Sequence, residues 1–307
     1  MIEEVGNLKL NLAFYEGKDY YSDGAVEDTL LEMVKKYTTV QLQKIIYQEV
    51  SWPILYHLSP IRENIVNWFP FKKKGTLLEV GAGCGAITGC FAKQLKKVCA
   101  IELSKKRSLI NAHRNKNYDN IEIIVGNFEK IAPSIEEKFD YVTLIGVFEY
   151  AAMYISSSNP YSEFLNRIND MLKEGGKILL AIENRFGLKY FAGCREDHLG
   201  EVFTGIEGYS YDTKVRTFNR NEMIQLLEEN GFLHYEFYYP YPDYKLPHTI
   251  YSDKYLPKSG ELIDNMRNFD MDRWVLFDET KAFQSIISSG MFREFSNSFF
   301  IIIERKE

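Results

Sequence analysis

Leu77-Leu78-Glu79-Val80-Gly81-Ala82-Gly83-Cys84-Gly85-Ala86-Ile87-Thr88 is the stretch that decides the fold. An apolar run stops at three glycines and an amphipathic segment follows at once. This reads as a buried strand, a tight turn and a helix start. A turn with almost no side chains lets backbone come close to a ligand, and the first N–H groups of the helix point at it. Glu102 stands 21 residues after Gly81, at the end of the next apolar run, Val98-Cys99-Ala100-Ile101. A carboxylate there can accept hydrogen bonds from both hydroxyls of a ribose. The pattern therefore predicts a cofactor that carries adenosine.

The glycines alone do not choose the cofactor, because Gly81, Gly83 and Ala86 also satisfy the dinucleotide pattern G-x-G-x-x-A. The rest of the chain separates the two. Ile121 to Gly126 is a third strand, followed by Asn127-Phe128, and Phe139 to Val147 is a fourth, followed by Phe148-Glu149-Tyr150. Leu172 to Glu183 reads as a helix end, a Gly175-Gly176 turn and a fifth strand. Strand and helix alternate up to Glu183, which implies a parallel sheet covered by helices on both faces. Asn219 with Glu222 forms a capping box for a helix from Arg220 to Asn230, closed by Gly231. Leu233 to Tyr239 and Asn297 to Glu304 supply two late strands suited to antiparallel pairing.

This order of pieces resembles the class I S-adenosylmethionine (SAM)-dependent methyltransferases, over roughly Gly75 to Phe237 and the last ten residues. The flanking segments Tyr56-His-Leu-Ser-Pro-Ile-Arg62, Ile182-Glu-Asn-Arg-Phe-Gly-Leu-Lys-Tyr190 and Tyr239-Pro-Tyr-Pro-Asp-Tyr-Lys-Leu-Pro247 look like a bacterial group of such enzymes. Members of that group often accompany glycosyltransferases in surface-polysaccharide biosynthesis. The resemblance implies an α/β, Rossmann-like fold with a seven-stranded, mostly parallel sheet and an antiparallel last strand. An N-terminal helical lid (residues 1–70) would precede a methyltransferase domain (71–307), with cap insertions at about 184–218 and 240–296.

The same resemblance implies roles for residues. The stretch Glu79, Gly81, Ala82, Gly83 and Gly85 would lie against the methionine and ribose of SAM. Glu102 would hold the ribose hydroxyls and Leu103 would pack on adenine. Most relatives carry Asp after the third strand, where this chain has Asn127; its amide carbonyl can still accept from the adenine amino group, without charge. Phe128 offers its N–H and ring beside it. Backbone at Gly146 and Val147 would accept from the methionine amino group. Glu149 either adds charge there or serves as a helix-start carboxylate. Arg62 is the candidate for the methionine carboxylate.

On the acceptor side, Glu183, Glu196, Asp197, His198 and Glu207 gather at or after the fifth strand. His198 is the natural general base, because imidazole titrates near neutrality. Glu183 and Glu207 are the next candidates. Cys194, Asp197 and His198 match no compact zinc spacing, so no metal is expected. Tyr238, Tyr239, Tyr241 and Tyr244 crowd the start of the last insertion, and flat amphipathic rings suit sugar or aromatic ligands.

The bulk numbers narrow the partners. Net charge is −6, and the basic runs Lys72 to Lys74 and Lys105 to Arg107 are short. Phosphate binding needs a concentrated basic face, so nucleic acid is not expected as the acceptor. The four cysteines show no C-x-x-C spacing and read as buried hydrophobes of a reducing compartment. The N-terminus lacks a basic region followed by an apolar one, and no apolar run is long enough for membrane insertion, so a cytoplasmic location is expected. The chain could also be a module of a longer one.

The expected activity is methyl transfer from SAM to a small-molecule or glycan-type acceptor, as O-methylation, with S-adenosylhomocysteine as product. A glycosyltransferase is the protein partner that the resemblance suggests. Two alternatives stay open. One is a catalytically silent SAM-binding partner of a glycosyltransferase. The other is an NAD-dependent oxidoreductase, although that would need a further half-sheet of β-α units after Glu183.

Overall fold

Val5-Gly6-Asn7-Leu8 turns the chain back on itself at the start. Strands β1 (Ile2–Val5) and β2 (Leu8–Asn11) pair antiparallel, with Val5 opposite Leu8. Gly6 and Asn7 thus form a two-residue turn, and Gly6 takes φ 63°, a left-handed value that glycine adopts at no steric cost. The expected helical region has no strand here, so this hairpin is a correction. The computed structural model describes residues 1–49, 51–265 and 271–306. Residues 266–270 of the expected insertion lie outside the described residues. The chain divides into two units, Met1–Leu144 with Asp170–Lys177, and Ile145–Asn169 with Ile178–Glu307.

In the first unit, three helices follow the hairpin: α1 (Val26–Lys36), α2 (Thr39–Gln48) and α3 (Trp52–Leu58). Thr38 and Gln41 form a full capping box for α2. After these helices Pro60–Ile65 forms a six-residue 3₁₀ turn capped by Ser59. Then come β3 (Thr76–Val80), α4 (Thr88–Gln94), β4 (Lys97–Glu102), α5 (Lys105–Asn115), β5 (Ile121–Val125), α6 (Phe128–Ile131) and β6 (Phe139–Ile145). The strand order is β1-β2-β5-β4-β3-β6. The ladders β2–β5, β5–β4, β4–β3 and β3–β6 are all parallel. Strand order reverses direction at β3, and in open α/β sheets such a switch point is where ligands sit, beyond the carboxyl ends of the strands.

Burial explains the local choices. β3 is buried at every position, as a strand covered on both faces requires. Leu30, Val34, Ile46, Ile54 and Leu58 of the N-terminal helices form one core with Ile110 of α5 and with Cys84 of the glycine turn. All four cysteines are free and buried.

A buried ionic clasp ties α1 to α5. The Glu27 carboxylate is fully buried and accepts from Arg107 Nε at 2.7 Å. Arg107 also meets Asp23 at 2.9 Å, and its guanidinium lies over the Tyr21 ring at 4.4 Å. Asp23 in turn contacts His57 Nε2 at 2.7 Å.

Strand β7 (Leu172–Glu183) is one continuous twelve-residue strand, not a helix end, a turn and a strand. A Cβ on Gly176 would come within 2.9 Å of the Lys173 carbonyl and 3.2 Å of the Asp140 carbonyl, so close backbone approach explains the glycine inside it. The second unit holds α7 (Ala151–Tyr154), α8 (Pro160–Asp170), α9 (Leu188–Phe191), α10 (Thr204–Glu207), α11 (Arg220–Glu229), α12 (Glu279–Ser288) and α13 (Phe292–Phe295). Its strands are β8 (Tyr235–Tyr241), β9 (Thr249–Ser252) and β10 (Ser298–Glu304), in the order β7-β10-β8-β9. β10 pairs antiparallel with β8, and β9 pairs antiparallel with β8. The Asn219–Glu222 capping box of α11 is formed as expected.

The described residues thus carry ten strands against seven expected; β1, β2 and β9 are the additions. Among the described residues no helix is long and apolar enough to cross a membrane.

The clasp makes a testable demand on α1. Arg107→Leu leaves the Glu27 carboxylate buried without its cation, and breaking a buried pair from one side costs about 3–5 kcal/mol. Denaturant unfolding of the variant should show a loss of that order; a loss below about 1 kcal/mol, the scale of a surface pair, would mean that the clasp does not hold the helix.

Candidate functional site

In the first unit, the sequence-expected residues meet at the carboxyl ends of β3, β4 and β5. Gly81, Gly83 and Gly85 take φ of 71°, 52° and 72°. These are left-handed values that other residues rarely adopt. The N–H groups of Gly81 and Ala82 both donate to the Ile101 carbonyl, at 2.9 and 3.0 Å. At Gly85 a Cβ would fall 2.3 Å from Asn111 Oδ1, whereas at Gly83 it would meet nothing within 4 Å. Gly85 is therefore demanded by packing and Gly83 by its backbone conformation.

Glu102 is buried at the end of β4. One carboxylate oxygen accepts from Gly83 N–H at 2.7 Å and the other from Ser104 N–H at 2.9 Å. Each oxygen keeps a second lone pair. Burial raises the Glu102 pKa, against Arg107 and the two N–H donors. Glu79, at the end of β3, accepts from Thr88 Oγ1 at 2.6 Å. Burial, with the Glu102 charge adding to it, pushes the Glu79 carboxyl up to about 8. Burial, more than any neighbouring charge, holds both carboxyls up.

The remaining first-unit candidates are placed as follows. Asn127 caps α6, its Oδ1 accepting from Glu129 N–H at 2.8 Å, so part of its acceptor capacity is spent within the chain. Phe128 is buried at the first position of that helix. Leu103 is half-buried after β4. Arg62 is buried and stacked on the Tyr56 ring at 4.3 Å rather than solvated.

The second unit holds the other candidates. A Cβ on Gly146 would lie 2.7 Å from Tyr244 Oη, and the Val147 carbonyl accepts from Tyr150 N–H at 3.1 Å. Glu149, Glu183 and His198 come together, with one oxygen of each carboxylate and a ring nitrogen all within 4.8 Å of one another. His198 Nδ1 is 3.0 Å from Tyr150 Oη, and its Nε2 is 3.5 Å from Glu183. Glu207 stands exposed at the end of α10, outside this cluster. Glu196 is buried and accepts from the N–H groups of His198 and Leu199 and from Tyr209 Oη.

Lys189, Asp243 and Lys245 complete the neighbourhood, and sequence reasoning assigned them no role. Lys245 Nζ lies 2.5 Å from both Glu183 and Asp197. Lys189 Nζ lies 3.0 Å from Asp197 and 2.8 Å from Asp243, a partner 54 residues away in sequence. Burial opposes the Glu183 charge, but Lys245 and His198 outweigh it and hold this carboxyl well below the usual range. Burial and repulsion from Glu183 push the Glu149 carboxyl up to about 8. Burial also opposes the imidazolium, yet Glu183 and Glu149 raise His198 to about 9. His198 is thus charged at neutral pH unless another cation takes its proton's place.

Part of the chain is similar to known proteins. Residues 78–180 match the methyltransferase domain family. The ribosomal RNA small subunit methyltransferase A of Clostridium acetobutylicum is 29% identical over 115 residues, 38% of this chain and 38% of that protein. The protein of the same name from Syntrophus aciditrophicus is 28% identical over 102 residues, 33% of this chain and 34% of that protein. The chain therefore spans little more than a third of the length of these relatives. The crystal structure of a SAM-dependent methyltransferase from Archaeoglobus fulgidus is 12% identical, with a TM-score of 0.49, over 83% of this chain and 100% of that one. The family match covers about a third of the chain, and the cofactor it supports is S-adenosylmethionine.

Proposed function

We propose that the chain transfers the methyl group of SAM to a hydroxyl of a small-molecule or glycan-type acceptor. The observation that carries the cofactor half is the buried Glu102 carboxylate bonded to Gly83 N–H at the switch point of a parallel sheet. SAM is a sulfonium cation, and a site with Glu79 and Glu102 both held up gains from a positive ligand. In the reaction the acceptor oxygen bonds to the methyl carbon as the sulfur–carbon bond breaks. The hydroxyl proton passes to the neutral form of His198, and S-adenosylhomocysteine remains. Positioning supplies much of the rate in such a displacement.

The acceptor end is assigned in this proposal to Glu183 and His198, at and beyond the carboxyl end of β7; Glu207, exposed and apart from them, is left out. The glycan-type acceptor, and a glycosyltransferase as partner, rest on the resemblance of the flanking segments. Many lysines and arginines of the first unit face carboxylates, as in Lys97–Glu137, Lys105–Glu3, Lys106–Asp28 and Arg107–Glu27. A second reading is a ribosomal RNA acceptor, favoured by the names of the relatives. Those names withdraw the exclusion of nucleic acid drawn from charge alone. Transfer of labelled methyl from SAM into ribosomal RNA, set against transfer into lipid-linked and nucleotide-linked sugars, decides between the two.

Three outcomes are expected. Titration calorimetry should show S-adenosylhomocysteine binding far more tightly than NAD, and Glu102→Ala should weaken it by about 1–3 kcal/mol, the scale of hydrogen bonds to a charged group. Tighter NAD binding, or an unchanged affinity in the variant, would remove the assignment.

The second concerns pH. The Glu79 carboxyl titrates near 8 in the folded chain and near its ordinary value of 4.5 when unfolded. The unfolded state therefore releases the proton first. Stability of the ligand-free protein should fall as pH rises from about 4.5 to about 8 and level off above that. Glu79→Gln should flatten this part of the profile; an unchanged slope in denaturant melts would assign it to other groups.

The third concerns His198. The imidazole must be neutral to take the acceptor's proton, so turnover should rise as pH approaches about 9, and His198→Ala should cut it there by about two to four orders of magnitude while leaving S-adenosylhomocysteine affinity within about twofold. Wild-type turnover on a true acceptor would make the residue structural.

A further inference from the structure

Glu149, Glu183 and His198 belong to three separate elements of the second unit: the turn after β6, the end of β7 and the loop between α9 and α10. They are buried, with Glu149 at 1% exposure, Glu183 at 0% and the His198 side chain at 7%. Glu149 Oε2, both oxygens of Glu183 and His198 Nε2 have no hydrogen-bond partner of ordinary geometry. Glu183 keeps only its ionic contacts, to Lys245 and to His198. A buried carboxylate oxygen without compensation, as Glu149 Oε2 is, is costly, and with Glu183 and His198 Nε2 gathered around the same point the arrangement has room for a positive charge there.

We propose that Glu149, Glu183 and His198 form a binding site for one divalent cation of the manganese or magnesium type. Glu196 is not among the donors, because two backbone N–H groups and the Tyr209 hydroxyl already meet it.

The donor chemistry fits. Two carboxylate oxygens and one imidazole nitrogen, without thiolate, suit a hard or borderline divalent ion. Tyr150 Oη can accept from His198 Nδ1–H at 3.0 Å, which leaves the Nε2 lone pair facing the carboxylates. A ligating histidine ordinarily hands its second N–H to such a partner, and that partner sets ring orientation and basicity. Two ligand atoms at about 2.1 Å from one ion stand at most about 4.2 Å apart. The three donors, within 4.8 Å of one another, need draw in by only a few tenths of an ångström. The ion would displace the proton that the cluster otherwise keeps on His198.

The site takes Glu183 and His198 from the acceptor end proposed above, and its test reads bound metal rather than turnover, so that the two readings fail separately. The full chain is stripped with chelator, dialysed against manganese chloride, and its bound manganese is counted by mass spectrometry and by the electron paramagnetic resonance of free manganese. The expected result is one ion per chain and a rise in melting temperature with manganese. Glu149→Gln should abolish both, and Tyr150→Phe should weaken affinity by about 10–100-fold. Circular dichroism confirms that each variant is folded. If Glu183→Gln fails to fold, the other two variants carry the test. Absence of stoichiometric manganese in the wild type, or equal binding in Glu149→Gln, overturns the proposal and leaves a proton as the cluster's cation.

Discussion

The first unit depends on one carboxylate that is taken out of water and bonded twice to backbone. Glu102 joins the turn after β3 to the start of α5 through the Gly83 and Ser104 N–H groups. A loop with three left-handed glycines has little of its own to hold it still. Glu102 supplies the missing restraint from the neighbouring strand, so the loop is already placed. The cost of burying that charge is offset in part by Arg107, which also grips Glu27 and Asp23. The glycine loop and the first N-terminal helix therefore share one electrostatic anchor.

The second unit treats buried charge differently. Lys189, Asp197 and Lys245 alternate in sign between Asp243 and Glu183, so each ammonium group is shared by two carboxylates. Such a ladder is rigid because no member can turn away without leaving a partner exposed to a low dielectric. The end that the ladder does not close lies at Glu183, where Glu149 and His198 converge.

Much of this was legible in the sequence. The strand–turn–helix at Leu77 to Thr88, the strands ending at Glu102 and Val125, and the capped helix after Asn219 all announce themselves by apolar runs and cap residues. The first hairpin carried a signal too. Gly6-Asn7 between Ile-Glu-Glu-Val and Leu-Lys-Leu-Asn is a recognised turn pair, but four-residue strands fall below the length at which alternation stands out. β7 misled through Gly175-Gly176, because glycine marks close backbone approach as readily as it marks a turn. Lys189, Asp243 and Lys245 were not assigned at all, since pairing across 54 residues leaves no periodic trace. The expectation of no metal considered Cys194, Asp197 and His198; the histidine instead faces Glu149 and Glu183, which only the folded chain brings beside it.

The hairpin at the start of the chain has a consequence for handling the protein. β2 covers the outer hydrogen-bonding edge of β5, and β1 in turn covers β2. β5 reads Ile-Glu-Ile-Ile-Val, a short, strongly β-forming segment with one charge. Trimming the first dozen residues to make a tidier fragment would bare that edge. Unpaired N–H and C=O groups beside apolar side chains are a template for another chain to add to. The price of such a truncation would appear as insolubility and self-association rather than as a lower melting point.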